Sequence, residues 1–212
     1  MVSRLFTPAD TLGSIGVPVT SAPFTACAWA KSSSATAHQN VFVFGSTEFW
    51  AVFLAGNETG DPAQLIIEDD PNPVLEVVTN NGYSINTWHH VAMIEASATD
   101  HRIILDGDIA NQGTSSTNMS PDSLLASAIA RSSMNGNVGH VAVWNVVLSD
   151  NEIISLAAGV SPLRIRRDNL INYWPINGQS PEIDIVGGLS MMISGNPTKN
   201  EEPLITDSIV AP

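Results

Sequence analysis

The stretch FTACAWAK, residues 24–31, alternates two kinds of side chain. Phenylalanine and alanine fill the even positions, whereas threonine, cysteine, tryptophan and lysine fill the odd ones. Successive side chains of an extended chain point to opposite faces, so this period of two predicts a β-strand with two different faces.

Short apolar runs recur along the rest of the chain with turn-forming residues between them, which is typical of a β-sandwich or barrel. Further strands are predicted at residues 41–44, 49–55, 64–68, 74–79, 88–95, 102–105, 138–147, 170–174 and 189–193. The segments Asn80-Asn81-Gly82, Asp106-Gly107 and Asn135-Gly136 tolerate the backbone of tight turns, so each predicts a hairpin.

One segment predicts a helix of about two to three turns. Ser149 and Glu152 have the spacing of a capping box, and apolar residues follow at helical intervals. Gly159 fits a C-terminal cap, and Pro162 follows it. We expect this helix to connect two strands. Strands and helices do not alternate along the chain, which excludes a doubly wound fold.

Composition narrows the classes of function. The 212 residues suit one domain, and 21 acidic against 8 basic residues give a net charge of −13, which disfavours nucleic acid as a partner. No apolar run predicts a membrane span or a signal peptide, so we expect synthesis in the cytosol. Only 14% of the residues are charged, which hints that a partner covers part of the surface. Cys27 has no second cysteine to pair with, and we expect it to be buried.

Several segments, in a fixed order, resemble the laminin-G-like, concanavalin A-like jelly-roll family. They are FTACAWAK at 24–31, TWHHVA at 87–92, RIILDG at 102–107, GHVAVWNVVLS at 139–149 with Glu152 and Ile153, and LINYWPING at 170–178. The resemblance implies two stacked antiparallel sheets with a concave face, in a family of lectin-like sugar binders, adhesion modules and phage-encoded proteins. Residues 137–140 lack a carboxylate that this family often has, which counts against an inherited metal site at that edge.

We therefore predict an all-β, two-sheet antiparallel jelly-roll sandwich with one short connector helix. The sandwich is expected at residues 23–193. Residues 1–22 are expected to form an N-terminal arm or edge strand, and residues 194–212 an extended C-terminal arm. Leu204 and Ile205 would anchor this second arm, either on a neighbouring subunit or on the same sandwich.

No catalytic group is predicted. Related jelly-roll glycosidases use two carboxylates about 5 Å apart, but the nearest pattern here, Glu182 to Gly187, has glycine in place of the second glutamate. Pro181 and Gly187 indicate a loop there. No nucleophile motif appears. Adjacent His89 and His90 face opposite ways and cannot share a metal; we expect one in the core and one with a hydrogen bond at the surface.

The candidate binding residues each have an ordinary alternative. Trp50, beside Glu48 and Phe49, is a candidate sugar platform or interface anchor, or else a core residue. Asp106 and Asp108 are candidate calcium ligands, or else part of a solvated turn. Apart from Ca²⁺, no cofactor is expected.

A basic cluster after the helix is a candidate for docking a partner. Arg164, Arg166 and Arg167 supply three of the eight positive charges. In a strongly acidic protein such a cluster could bind an acidic neighbour, or it could be a solvated loop of little energetic consequence.

Three hypotheses of function follow. The first is a non-catalytic structural or interaction subunit of a bacteriophage virion, either a capsid decoration protein or a tail-associated adhesion protein. It would contact other capsid or tail subunits, form a homo-oligomer and be made in the host cytoplasm. The second is a free carbohydrate-binding module, with Ca²⁺-dependent binding as one alternative. The third, least supported, is a glycoside hydrolase.

Overall fold

The computed structural model describes residues 3–69, 74–121, 124, 126–131, 133–200, 203 and 205. It confirms an antiparallel two-sheet sandwich with one short α-helix. The strands are β1 Ser3–Phe6, β2 Thr11–Ser14, β3 Phe24–Ser32, β4 His38–Gly45, β5 Phe49–Ala55, β6 Pro62–Glu68, β7 Leu75–Gly82, β8 His89–Ser97, β9 Asp100–Leu105, β10 Gly113–Ser115, β11 Ser127–Ile129, β12 Gly136–Trp144, β13 Leu170–Trp174, β14 Met192–Ser194 and β15 Thr198–Asn200. The helix, α1, spans Asp150–Ala157.

The strands form one eight-stranded and one seven-stranded sheet. The eight-stranded sheet has the order β10-β9-β8-β3-β12-β1-β15, with β13 also paired to β12. The seven-stranded sheet has the order β14-β2-β11-β4-β5-β6-β7. Neighbours in space are often distant in sequence, as expected for a jelly roll.

The main core lies between the two sheets. On β3 the even residues of the alternating stretch, from Phe24 to Ala30, enter this core and are fully buried. They meet large side chains of the opposite sheet, and Phe24 packs edge-on against Trp50 with ring centroids 5.0 Å apart. Fully burying one such large apolar side chain contributes about 1.5–3 kcal/mol, so this layer supplies much of the driving force for folding.

A second apolar layer covers the outer face of the eight-stranded sheet. The odd side of β3 contributes Cys27 to it, and α1 contributes Ile153 and Leu156. Trp144 of β12 is fully buried there, and its indole Nε1–H donates a 2.7 Å hydrogen bond to the carbonyl of Ile165. Burial raises the pKa of the Cys27 thiol, so this cysteine is an apolar packing group.

The helix begins and ends where the sequence predicts. The carboxylate of Glu152 accepts hydrogen bonds from the N–H and the hydroxyl of Ser149, each 2.8 Å long. Gly159 has φ +89°, and its N–H donates to the carbonyl of Leu156. Among the described residues, no helix has the length and apolar character needed to cross a membrane.

Two of the three predicted hairpin turns are wrong. Asn80-Asn81-Gly82 belongs to β7, and the turn comes later, at Asn86 with φ +59°. Gly82 is required for a close approach, because a Cβ there would lie 1.8 Å from the carbonyl oxygen of Gly60. Asn135-Gly136 joins β11 to β12, which lie in different sheets, so it forms no hairpin.

Both ends of the described chain pair within the sandwich. Of residues 1–22, expected as an arm or edge strand, β1 lies between β12 and β15, and β2 lies between β11 and β14. The strand predicted at 189–193 is observed as Met192–Ser194, and the expected arm after it contributes β15. The buried guanidinium of Arg4 helps to hold this end by donating a 2.7 Å hydrogen bond to the carbonyl of Pro197.

Candidate functional site: a cleft on the outer face of the seven-stranded sheet

The outer face of the seven-stranded sheet has much less apolar cover than the other outer face. It carries a small cluster of Val43, Ala51 and Ala128, with Phe49 and Phe53 partly buried beside it. Within the described chain, α1 packs on the opposite sheet. The three clustered side chains are still only 1–8% exposed, so a ligand can reach this face only where a cleft opens.

A cleft of about 540 Å³ opens on this face. Its floor follows one row of paired residues across three strands, in which Gly13 of β2 lies opposite Ala128 of β11, and Ala128 lies opposite Val43 of β4. The cleft exists because this row carries small side chains. A Cβ at Gly13 would meet its nearest neighbour only at 3.9 Å, so the missing side chain deepens the cleft rather than relieving a close contact.

The rim of the cleft combines apolar, polar and charged groups. Ile15 is 98% exposed and Met192 is 64% exposed. Ser46 and Ser190 add hydroxyl groups that can both donate and accept hydrogen bonds. An apolar floor with a few polar groups at its edge is the usual composition of a small-ligand site.

Arg131 is the charged residue on the rim, and the chain fixes its position at the end of β11. Ala130 before it has φ +56°, and the backbone N–H of Arg131 donates a 3.1 Å hydrogen bond to Oδ1 of the buried Asn40. The Arg131 side chain is exposed.

Of the alternatives for Trp50, a sugar platform, an interface anchor or a core residue, the structure shows the core residue. It is 1% exposed between the sheets, so its ring cannot stack on a ligand at the surface. Its neighbour Phe49 points to the outer face and pairs in the sheet with Gly45, which lines the cleft. Glu48 is buried at 8% exposure. Of the two aromatic candidates, Phe49 is therefore the one whose side chain lies on the outer face.

Glu182 and Asp184 lie in a loop, as their flanking residues predict, and both carboxylates are buried. Glu182 bonds the guanidinium of Arg4 and accepts hydrogen bonds from the N–H groups of Asn177 and Gly178. Asp184 accepts from the side chain of Asn172 and from four backbone N–H groups, those of residues 173, 186, 187 and 189. Groups so fully used in hydrogen bonds hold the loop and leave no acid–base pair facing a cleft.

Of the expectation of one histidine in the core and one with a hydrogen bond at the surface, His90 fits the first part at 1% exposure; His89 makes its hydrogen bond with the partly exposed Asp106 but is itself only 7% exposed. His89 Nδ1 lies 2.6 Å from Oδ2 of Asp106. His90 packs edge-on against Trp29, and its ring nitrogens have no hydrogen-bond partner among the described residues. Burial lowers the pKa of His90 to about 4, so it is neutral near pH 7.

A buried pair between the sheets, Glu95 and His101, escaped the sequence analysis. Their side chains are 2.6 Å apart and at most 1% exposed. Burial raises the pKa of Glu95. Burial, the largest single cause, would lower the pKa of His101. The hydrogen bond and charge of Glu95, together with hydrogen bonds to the carbonyls of Thr117 and Ala98, outweigh it, so the pKa is raised. Both residues occupy core-facing positions of strands that otherwise carry apolar groups there, which is the signal that could have revealed them.

The predicted calcium ligands are engaged in hydrogen bonds, those of Asp106 with the neighbouring strand β8 and one of Asp108 within its own turn. Both oxygens of Asp106 are used, one by His89 and one by the N–H of His90. Oδ2 of Asp108 accepts from Asn111 at 2.8 Å. Among the described residues, no three or more His, Cys, Asp or Glu side chains form a group that could hold a metal. Calcium binding stays a prediction.

The predicted docking residues lie away from the cleft. Arg166 bonds Glu152 of α1 at 2.5 Å, and Arg164 and Arg167 are exposed nearby in two short 3-10 turns. Ile205 is half-buried, and Leu204 lies outside the described residues. Docking through these residues stays a prediction.

Comparison with solved structures identifies the same fold in other proteins. A Bacteroides ovatus protein to which carbohydrate binding has been ascribed superposes with a TM-score of 0.68 and 16% identity, over 96% of this chain and 61% of that one. The present chain thus spans less than two thirds of that relative. A heptameric SAP-like pentraxin from Limulus polyphemus gives a TM-score of 0.55 and 11% identity, over 92% and 96% of the two chains.

A third similar structure contains a ligand. It is the CBM40 domain of a Ruminococcus gnavus IT-sialidase bound to α2,3 sialyllactose, with a TM-score of 0.52 and 12% identity, over 64% of this chain and 82% of that one. At these identities the likeness shows the fold alone. No protein with a curated description matches the chain. The sequence model of the concanavalin A-like lectin/glucanases superfamily matches residues 9–154.

Proposed function

Since the chain belongs to the concanavalin A-like lectin/glucanases superfamily, we propose that it is a non-catalytic, lectin-like domain that binds a carbohydrate. The ligand would lie in the cleft on the outer face of the seven-stranded sheet. The similar structures include a sialyllactose-binding domain. A shared fold does not fix a function, so the proposal depends on the cleft itself.

The observation that carries the proposal is the composition of this cleft. Its volume of about 540 Å³ lies within the range of small-ligand sites. The floor of Gly13, Val43 and Ala128 can contact the C–H face of a sugar, and Ser46 and Ser190 offer hydroxyl groups to sugar hydroxyls. Phe49 lies beside this floor on the same face.

Binding without catalysis is supported by the roles of the buried carboxylates. Glycoside hydrolysis ordinarily needs two carboxyl groups that flank the scissile bond. Among the described residues that line the cleft, none is acidic. The carboxylates of the one glycosidase-like segment, Glu182 and Asp184, hold a loop by hydrogen bonds.

A glycan array tests the proposal directly. The labelled protein should bind one or more immobilised glycans, and isothermal titration calorimetry with a free glycan should then give its affinity. The variant Ala128→Leu places extra atoms on the cleft floor and should weaken binding by at least about tenfold, or roughly 1.4 kcal/mol. Repeating the titration with EDTA tests the calcium prediction in the same material.

A matched control is Ala9→Leu, which makes the same chemical change at an exposed alanine that does not line the cleft. It should bind as the natural sequence does. If no glycan binds, or if Ala128→Leu binds as tightly as Ala9→Leu, the proposed function is wrong.

A second candidate is a structural subunit of a particle such as a bacteriophage virion, made in the host cytoplasm. The exposed apolar side chains at the cleft rim favour it, because Ile15 and Met192 are 98% and 64% exposed and line the same cleft. Exposed apolar groups that lie together often mark protein interfaces.

Sedimentation analysis tests this second candidate. The protein should form an oligomer whose population rises with concentration, and the double variant Ile15→Ser, Met192→Ser should remain a monomer. A natural sequence that stays monomeric at every concentration, or a double variant that assembles equally well, would exclude self-assembly through this rim.

A further inference from the structure

The charge around the cleft differs from that of the whole chain. The protein has 21 acidic and 8 basic residues. Yet of the described residues that line the cleft, none is acidic and Arg131 is basic. A ligand held in the cleft therefore lies beside a positive group, with no carboxylate in the lining.

Arg131, like the exposed Arg167 outside the cleft, makes no ion pair with a described carboxylate, whereas three other arginines do. Arg4 pairs with the buried Glu182, Arg102 with Asp100 and Arg166 with Glu152. No described carboxylate lies within ion-pair distance of Arg131, although its backbone is fixed by Asn40. Its guanidinium is free to pair with a negative group brought by a ligand.

We propose that the cleft selects an acidic oligosaccharide, and that Arg131 binds the carboxylate of one of its sugars. This inference rests on the proposed carbohydrate binding and narrows the ligand class. A planar guanidinium presents two parallel N–H groups that match the two oxygens of a carboxylate, which makes the contact both strong and directional. The apolar floor would contact the ring of the same sugar or of its neighbour.

Matched pairs of soluble probes isolate the carboxylate. Calorimetric titrations compare trigalacturonate with galactotriose, and 3′-sialyllactose with its methyl ester, in which the carboxylate carries no charge. Each pair has an acidic member and a neutral one. At least one acidic probe should bind about tenfold more tightly than its neutral partner, because a charge-assisted hydrogen bond contributes more than a neutral one.

Variants of Arg131 test whether this one side chain causes the preference for acidic over neutral probes. Arg131→Gln should remove the preference for the acidic probe and leave the affinity for the neutral one unchanged, and Arg131→Lys should restore part of it. Arg102→Gln is the control for net charge, since it removes the same charge from the other sheet, outside the cleft. It should keep the full preference, and all three variants should unfold at the temperature of the natural sequence.

The outcomes separate this inference from the proposed function. If glycans bind in the cleft but acidic and neutral probes bind equally, or if Arg131→Gln keeps the preference, the acidic-ligand inference is overturned and carbohydrate binding stands. If no glycan binds at all, both fail. Loss of the preference with Arg131→Gln but not with Arg102→Gln supports the assignment.

Discussion

The two outer faces of the sandwich are both formed by antiparallel strands, but other parts of the chain cover them to different extents. On the eight-stranded sheet, α1 and the loops around it bury Cys27, Ala142 and Trp144. On the seven-stranded sheet, the corresponding layer is limited to Val43, Ala51 and Ala128, and a cleft opens over the row that contains Ala128. The connecting segments around α1 thus cover one outer face, which we call the covered face. On the other, which we call the open face, a cleft remains that a ligand can enter.

This difference shows how one fold separates stability from binding. The side chains of the face covered by α1 need close packing, because they are shielded from water. The open face can carry small side chains and an uncompensated charge, since solvent or a ligand satisfies them. Substitutions should therefore affect stability on the first face and ligand binding on the second.

The largest effect is expected at Asp184, in the loop that adds Val186 to the covered layer. Asp184→Ala removes the acceptor of five hydrogen bonds and leaves buried N–H groups without a partner. We expect the free energy of unfolding to fall by at least about 4 kcal/mol. Urea unfolding followed by tryptophan fluorescence measures this change.

Asp168→Ala is the matched control, because the same carboxylate is removed from an exposed position. It should change the free energy of unfolding by less than about 0.5 kcal/mol. A small effect at Asp184, similar to that at Asp168, would show that the loop does not depend on its carboxylate.

The next largest effect is the pH dependence of the free energy of unfolding that the buried His90 causes. An imidazole in the unfolded chain takes up a proton near pH 6.5, whereas burial lowers the pKa of the folded His90 to about 4. Between these values the unfolded state binds more protons, so stability should fall as the pH falls from about 6.5 to 4, by up to about 3 kcal/mol.

Comparison of the natural sequence with His90→Phe isolates this contribution. The difference in unfolding free energy between the two proteins should change across pH 4–7, because Glu95, His101 and the other groups are common to both. His38→Phe, at a histidine that is 31% exposed, serves as control. A difference that stays constant with pH would mean that His90 is protonated equally in both states.

The smallest expected change in stability comes from a pair of matched substitutions, one on each outer face. Ala142→Leu adds atoms under the covered layer, where Ala142 has no exposed surface, and should cost about 2 kcal/mol through overpacking. Ala128→Leu adds the same atoms over the cleft and should change stability by less than about 0.5 kcal/mol. Thermal unfolding of both variants measures the contrast, and equal losses would mean that the open face is as tightly packed as the covered one.

The sequence predicts local features well where one segment contains the whole signal. The alternation in residues 24–31 predicts β3 with its two faces, and the spacing of Ser149, Glu152 and Gly159 predicts α1. Prediction from the sequence fails where a contact with a distant residue determines the local structure. Asn80-Asn81-Gly82 has the chemistry of a turn, but the carbonyl of Gly60 approaches Gly82 so closely that the glycine is needed within a strand.

The candidate site shows the same division. The sequence directs attention to residues 48–50 but cannot tell which of their side chains points outward. The structure buries Trp50 against Phe24 and turns Phe49 to the outer face. Arg131 carries no local signal at all, because its relation to Gly13 and Met192 depends on strands far apart in the sequence.

The sequence by itself determined the strands of five or more residues, the capped helix and membership of a lectin-like superfamily, because periodicity and short motifs act between near neighbours in the chain. Only the tertiary structure decided which face is covered, where the cleft opens and which charge borders it. These properties arise from the pairing of strands that are distant in the sequence. The sequence of a single strand does not specify which other segments will cover its outward-facing side chains.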